Sequence, residues 1–482
     1  MAGNSHDFVP VTNGPQGLLE ERRVSTSPRT PPSTPPSTPS IAAHIEDHSA
    51  RGIAASISRL IRAGTLLPGE KLPTVRALAR DLSTSPTTVS EAWQLLGRIG
   101  AIEARGRLGT FVRDDRRPVG SRRYRTVTQR PSQYSLDLST GVPDPDLLPD
   151  VRRALERVSR RNLTTSYLDA PLLPALEELL RAQWPFVPEL VTVVDGAMDA
   201  LDRILSSVAR IGDAIVVEDP GFPPILDLVE QIGATAVPVG VDDDGVIPAD
   251  LVRALTTRPV ALILQPRAHN PTGASMSPAR AAVLAGVLAS SDVILVEDDH
   301  SGDIACSPPV SLGSFLPERT VHVRSFSKSH GPDLRLAAVG GSGTVISQVV
   351  ERRLLGPGWS SRLLQAVLLE MLRDPHTVET VAAARDEYAH RRAVVSAFLQ
   401  SFGVGHRCND GINMWVDVAD ERSALLSLAV RGIGVAPGTP FEVGTSPSAH
   451  LRVTVGLIAE QHQQVAEFLA EAAHGYPASP HR

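Results

Sequence analysis

The sequence predicts an α/β protein in two parts, a small winged helix-turn-helix followed by a large α/β domain built on a mainly parallel sheet. Three observations predict it. Between residues 41 and 113, three helix-length segments precede two short strands joined by the basic turn Arg105-Gly-Arg-Leu-Gly109. Beyond residue 136, short runs of β-branched and aliphatic residues alternate with helical segments, the pattern of strands covered by helices on both faces. The polar clusters of this second part fall at the ends of those runs, where parallel sheets gather their ligands.

The bounds agree with such a protein. A chain of 482 residues, 42% hydrophobic and 21% charged, can bury two or three sizeable cores. Its net charge of −6 argues against nonspecific nucleic-acid binding by the whole molecule while leaving room for a local basic module. Cys306 and Cys408 lie far apart with no CxxC, so neither a disulfide framework nor a metal site is expected, and the usage suits a reducing cytoplasm. No apolar run reaches the roughly 18 residues of a membrane helix. Asp7 and Pro10 stand where a signal peptide would be apolar. The expectation is a cytoplasmic protein with no membrane partner.

In chain order, residues 1–40 are rich in Ser, Thr and Pro and are read as a disordered tail. Residues 41–113 form the first module. Ile53, Ile57, Leu60 and Ile61 recur at helical spacing, a short helix runs from Val75 to Leu82, and a third from about Pro86 to Arg98, with Ser85 as N-cap and Pro86 in the first turn. Strands around Ile102–Ala104 and Thr110–Val112 complete a basic wing. A helix of this kind presents small polar side chains to base edges in the major groove, and a basic wing tip reaches phosphate or the minor groove.

The motifs Leu66-Leu-Pro-Gly-Glu-Lys-Leu-Pro-Thr-Val-Arg76, Thr84-Ser-Pro-Thr-Thr-Val89 and Glu103-Ala-Arg-Gly-Arg-Leu-Gly-Thr-Phe-Val112 resemble the GntR family of bacterial regulators. The resemblance implies that Arg76, Thr87, Thr88 and the wing residues Arg105, Gly106 and Arg107 contact DNA. Residues 114–135 follow as a basic linker: from Arg113 to Ser135 there are seven arginines, two aspartates and two prolines without apolar periodicity, so an exposed spacer is expected.

Residues 136–482 are the large domain. Its strand-like runs include Leu190–Val194, Ala214–Val217, Val260–Leu264, Val293–Val296 and Val321–Val323. After the third comes Asn270-Pro-Thr-Gly273, after the fourth Glu297-Asp-Asp-His300, and after the fifth Ser325-Phe-Ser-Lys328. Lysine occurs only at positions 71 and 328, arginine filling every other basic position. A guanidinium cannot serve as a nucleophilic amine, whereas a partly buried lysine can form a Schiff base. An amine, a carboxylate and an amide at three strand ends are what an electron-sink pyridine cofactor needs: a covalent anchor, a partner for the ring nitrogen and a donor to the ring oxygen. Arg335 and the helix start at Asp195-Gly-Ala-Met198 could hold its phosphate.

These motifs resemble fold-type I aminotransferases that use pyridoxal 5'-phosphate. The resemblance implies a mainly parallel sheet with a smaller C-terminal α+β subdomain, and Lys328 as the catalytic Schiff-base lysine. It places Asp298 on the pyridine nitrogen, Asn270 on the ring oxygen and Phe222 over the ring, with His300, where that family has a tyrosine, among the cofactor-binding residues. It places Gly196, Ala197, Met198, Ser325, Ser327 and Arg335 around the phosphate, with Tyr167 contributed by the partner subunit. Arg452 matches the arginine for a substrate carboxylate, and Val142, in Gly141-Val-Pro-Asp144, belongs to the substrate loop. Both halves together resemble the MocR subfamily of GntR-type regulators. A homodimer reading an operator with two half-sites is then expected, responding to a small amino compound through an external aldimine on the cofactor. The alternatives are an active aminotransferase and a repressor that senses pyridoxal phosphate itself.

Overall fold

The structure, a computed structural model, describes residues 41–62, 65–67, 69–98, 101–113, 122–128, 134–158, 169–444 and 448–475. The tail 1–40 and Tyr167 lie outside them. The first module has helices Ala50–Arg62, Val75–Asp81 and Pro86–Arg98, followed by β1 (Ile102–Ala104) and β2 (Thr110–Val112), paired antiparallel. Ile53 and Ile57 are fully buried and Leu60 nearly so, packed with Leu78, Val89 and Leu96. Ser85 caps the third helix by accepting from the Thr88 amide at 3.0 Å.

Between the modules the structure departs from the expected exposed spacer. Arg122–Thr128 forms a helix whose first amides, those of Arg123 and Tyr124, donate to the two carboxylate oxygens of Asp227 at 3.1 and 3.0 Å. Val127 is buried with Trp415, Ala436 and Phe441. The cap comes from about a hundred residues away, so no local spacing announces this helix.

After a two-residue strand β3 (Leu136–Asp137), the large domain builds an eight-stranded sheet. Its strands are β4 (Leu190–Val194), β5 (Ala214–Asp219), β6 (Thr235–Asp242), β7 (Gly245–Val246), β8 (Ala261–Leu264), β9 (Ile294–Asp299), β10 (Thr320–Ser325) and β11 (Ala337–Gly341). The order is β4-β11-β10-β9-β8-β5-β6-β7. The five central neighbours from β10 to β6 pair parallel, while β11 and β7 run against them. Because β11 is antiparallel to both β10 and β4, β4 points the same way as the parallel core. Its carboxyl end therefore joins those of β8, β9 and β10 on one edge.

Alternate residues of β5 face opposite cores. Ile215 and Val217 pack against helices Ala197–Val208 and Pro223–Gln231, while Val216 packs against Pro248–Leu255 and Pro278–Leu288. This two-sided burial explains the unbroken apolar runs. The reversed strand β11, Ala-Ala-Val-Gly-Gly, carries little β propensity. It needs its glycines for space: a Cβ on Gly340 would stand 2.6 Å from the Trp184 ring, and one on Gly341 2.0 Å from the Thr320 carbonyl oxygen.

The C-terminal subdomain is a four-stranded sheet, β12 (His406–Arg407), β13 (Met414–Val418), β15 (Ala436–Pro437) and β16 (Ala449–Val453), in the order β12-β13-β16-β15. Helices Glu421–Val430 and His462–His474 cover it. β14 (Ile433–Gly434) pairs in parallel with β3. Among the described residues no helix is long and apolar enough to cross a membrane.

Candidate cofactor pocket and DNA-reading surface

β9 continues through Asp299, so Asp298 sits on the strand and not beyond its end. In register, Asp298 lies opposite Val323 of β10, close to the turn that carries Lys328. Asp298 is 1% exposed. One carboxylate oxygen accepts from the Gln265 side-chain amide at 2.8 Å, and the other has no partner. Burial raises this carboxyl, Gln265 and the Lys328 ammonium pulling it back. Burial conversely lowers the Lys328 amine, which Asp298 partly restores and Arg452 lowers further. A lowered lysine supplies the neutral amine that attacks an aldehyde.

Gln265 was not singled out by sequence reasoning, yet it joins two of the predicted ring contacts. While its amide nitrogen holds Asp298, its oxygen accepts from the Asn270 backbone amide at 2.8 Å. Asn270 is buried with its side-chain oxygen unpartnered. His300 is buried too, with Nδ1 unpartnered, and burial together with the nearby Lys328 keeps it neutral, well below the ordinary histidine range.

At the phosphate end, Gly196 precedes the helix Ala197–Val208 with φ 104°, and a Cβ there would lie 3.2 Å from the Arg335 guanidinium. Glycine thus lets the start of this helix come close to the exposed Arg335, while Ser325 and Ser327 line the cavity that holds Lys328. Asp195 places a carboxylate beside this anion cup. Arg353, 2% exposed and also unforeseen, reaches it at 3.1 Å and Asp199 at 3.5 Å, offsetting that charge.

Arg452, on β16, is 2% exposed and donates to the Ser139 carbonyl and, at 3.2 Å, to Asn413; its Nε has no partner. Burial pushes its guanidinium down to about 10, still charged at neutral pH. Gly141 has φ 67°, a conformation that favours glycine, and a Cβ there would also crowd Arg452 Nη1.

A cavity of about 210 Å³ is lined by Val142, Phe222, Asn270, His300, Ser325, Ser327, Lys328 and Arg452. It is also lined by Tyr124, Val127 and Phe441, which sequence reasoning did not assign. The unpartnered, buried Asp298 oxygen suits a protonated ring nitrogen, Lys328 an aldehyde, the Gly196–Arg335 cup a phosphate and Arg452 a carboxylate. The residues present therefore fit pyridoxal phosphate, which when bound supplies an electron sink for an attached amine.

A larger cavity of about 440 Å³ lies behind β9, lined by Arg267, Asp299, Asp303 and Arg324. Its charges are already paired, Arg267 with Asp299 at 2.7 Å and Arg324 with Asp303 at 2.9 Å. Beside it, the His322 ring nitrogen Nδ1 meets the buried Glu297 at 2.8 Å, and Nε2 lies 3.7 Å from Asp299. Burial works against the imidazolium, yet these carboxylates raise His322 to about 9. Burial would likewise raise Asp299, but Arg267 and His322 hold it well below the carboxylate range. His322 therefore stabilises the fold fully below its unfolded value near 6.5, and this contribution fades as pH rises to about 9. Between pH 6.5 and 9.5 the wild type should lose about 3 kcal/mol of unfolding free energy relative to His322→Gln. Denaturant titrations at both pH values check this, and parallel losses in both proteins would refute it.

On the first module, Arg76 and Thr87 are exposed, while the Thr88 hydroxyl lies 2.8 Å from Ser85 Oγ at the helix cap. The Arg105 guanidinium pairs with Glu103 and stacks 4.8 Å from the Phe111 ring centroid. Gly106 and Arg107 lie in the turn Gly106–Leu108, the Arg107 side chain being outside the described residues. Arg76→Ala should weaken DNA binding several-fold and lower the salt dependence by about one ion. Fluorescence anisotropy at several salt concentrations measures both, and an unchanged slope would remove Arg76 from the phosphate contacts.

The chain matches the description "Bacterial regulatory proteins, gntR family" over residues 49–112 and "Aminotransferase class I and II" over residues 134–469. The vitamin B6 salvage pathway transcriptional repressor PtsJ of Salmonella typhimurium is 35% identical over 420 residues, covering 86% of this chain and 96% of its own. The HTH-type pyridoxine biosynthesis transcriptional regulator PdxR of Corynebacterium glutamicum is 28% identical over 360 residues, 71% of this chain and 77% of its own. The α-aminoadipate aminotransferase LysN of Thermus thermophilus shares the fold, with a TM-score of 0.63 at 20% identity over 72% of this chain and 94% of that one. A gntR module ahead of an aminotransferase-type domain defines a transcriptional regulator. The chain belongs to the aminotransferase class I and II family and, within it, to the regulators of the MocR subfamily.

Proposed function

We propose that this regulator binds pyridoxal phosphate as a Schiff base on Lys328 and changes its grip on DNA when a small amino compound occupies the same pocket. The observation that carries the reading is the buried Asp298 oxygen, unpartnered, on the strand next to the one that leads to Lys328 and close enough to that amine to act on its charge. Arg452, which lines the same cavity with an unpartnered Nε, is suited to the carboxylate of the amino compound. Displacement of the lysine by that amine changes the charge and contacts around Lys328. Only a ligand that binds two arrangements unequally can shift a regulator between them. A homodimer is the form proposed to bind DNA, its paired first modules reading two half-sites. We place the protein in the cytoplasm.

A second reading, that pyridoxal phosphate is itself the signal, is favoured by the vitamin B6 roles in the names of PtsJ and PdxR. Titrating the loaded protein with amino compounds while following absorbance and affinity for its operator separates the possibilities. A stable spectral change coupled to altered DNA affinity supports the amine reading. Altered DNA affinity on adding cofactor alone supports the second, and steady release of a keto acid would make the protein an aminotransferase first.

A further inference from the structure

A helix from the segment that joins the two modules lines the ligand pocket. Tyr124 and Val127, from the helix Arg122–Thr128, line the cavity that also holds Lys328 and Arg452. The side chains form a continuous path: Val127 packs on Phe441, and the Arg452 guanidinium lies 5.5 Å from the Phe441 ring centroid. Tyr124 is close enough to Arg452 to act on its charge.

The helix is seated by contacts that span the large domain. Asp227 accepts from its first amides, and Arg123 donates to the Glu442 carbonyl and pairs with Glu230 at 3.2 Å. Pro440 and Glu442, which accept from Arg123, flank Phe441 of the pocket wall. Seating of the helix and the shape of the Arg452 end are thus set by the same residues.

We propose that Tyr124 and Val127 are ligand-contacting residues that select the amino compound at the Arg452 end, so that occupancy of the pocket is read by the segment leading to the DNA-binding module. This rests on the reading that the pocket takes pyridoxal phosphate and a carboxylated amine. A ligand carboxylate on Arg452 lies between that guanidinium and the face of the linker helix. A bulkier or misplaced ligand must displace Tyr124, whereas a fitting one packs against it and holds the helix down.

The probes are aminooxyacetate and methoxyamine, used on the full-length protein loaded with pyridoxal phosphate. Each replaces the Lys328 nitrogen on the cofactor aldehyde carbon, forming an oxime and releasing Lys328 as its free amine; only aminooxyacetate carries a carboxylate. Absorbance reports the exchange. Trypsin reports the helix, because cleavage after Arg123 and Arg125 requires it to lift from its seat.

Aminooxyacetate should slow those two cleavages about fivefold or more, and methoxyamine should change them less than about twofold, the difference expected of one lost polar or packing contact. Tyr124→Ala and Val127→Ala should still form the oxime but need about fivefold more aminooxyacetate and show no added protection. Tyr124→Phe, which keeps the ring, should retain the protection. Oxime formation in the wild type with unchanged cleavage would overturn the inference, as would equal protection by both probes. Wild-type protein that gains no absorbance with pyridoxal phosphate would overturn the function reading itself, and this inference with it.

Discussion

Lys328→Ala should abolish the absorbance band that the wild type gains with pyridoxal phosphate, while leaving the thermal unfolding midpoint within a few degrees. The amine is the only lysine nitrogen lining the pocket, and the other lysine of the chain, Lys71, lies beside the wing, 5.9 Å from the Phe111 ring centroid. No arginine can substitute, since a guanidinium does not condense with an aldehyde under these conditions. Removing this ammonium relieves the cost of burying it and its repulsion by Arg452 while giving up its attraction to Asp298, opposing effects that should leave folding nearly unchanged. The band should be present in Arg76→Ala. A Lys328→Ala protein that keeps the band would show that the aldehyde is held elsewhere.

Asp298→Asn should weaken retention of the cofactor about a hundredfold or more. A buried carboxylate opposite a protonated ring nitrogen is a desolvated ion pair, and removing one partner of such a pair costs roughly 3–5 kcal/mol. The amide can still receive from Gln265, so the local hydrogen bond survives and the loss isolates the charge. Equilibrium dialysis measures the affinity, and an unchanged value would place the ring nitrogen away from Asp298. Gln265→Leu forms a useful contrast. It leaves the charge but frees both Asp298 and the Asn270 amide from their shared clamp, so a smaller loss is expected.

The site was legible where its parts are local. Asn270-Pro-Thr-Gly, Asp298 and Lys328 each sit within a few residues of an apolar strand, and the strands are readable because both faces of the sheet are buried. Asp298 belongs to β9 itself, since its neighbours keep pairing with β10 as far as Asp299. Less legible were the groups whose purpose depends on a distant partner. Arg353 looks like any helical arginine until it meets Asp195, and Gln265 looks like a strand-end polar residue until it bridges Asn270 and Asp298. β11 is composed of alanine, valine and glycine, so its strand identity comes from pairing with β10 and β4 and from the small space beside Trp184.

By itself the sequence determined the order of the modules and the α/β class of the large domain, and it pointed to a lysine, a carboxylate, an amide and an arginine as the candidate site. These follow from short-range periodicity and from which residue types can do the chemistry. Only the tertiary structure decided that residues Arg122–Thr128 form a helix and a wall of the pocket, because its cap is Asp227 and the apolar contacts of Val127 are Trp415, Ala436 and Phe441. Only it supplied the surroundings of Arg452, drawn from Ser139, Gly141 and Asn413. A side chain's type is written locally, but its burial, charge partners and neighbours are fixed by which distant segments the sheet brings to the same edge.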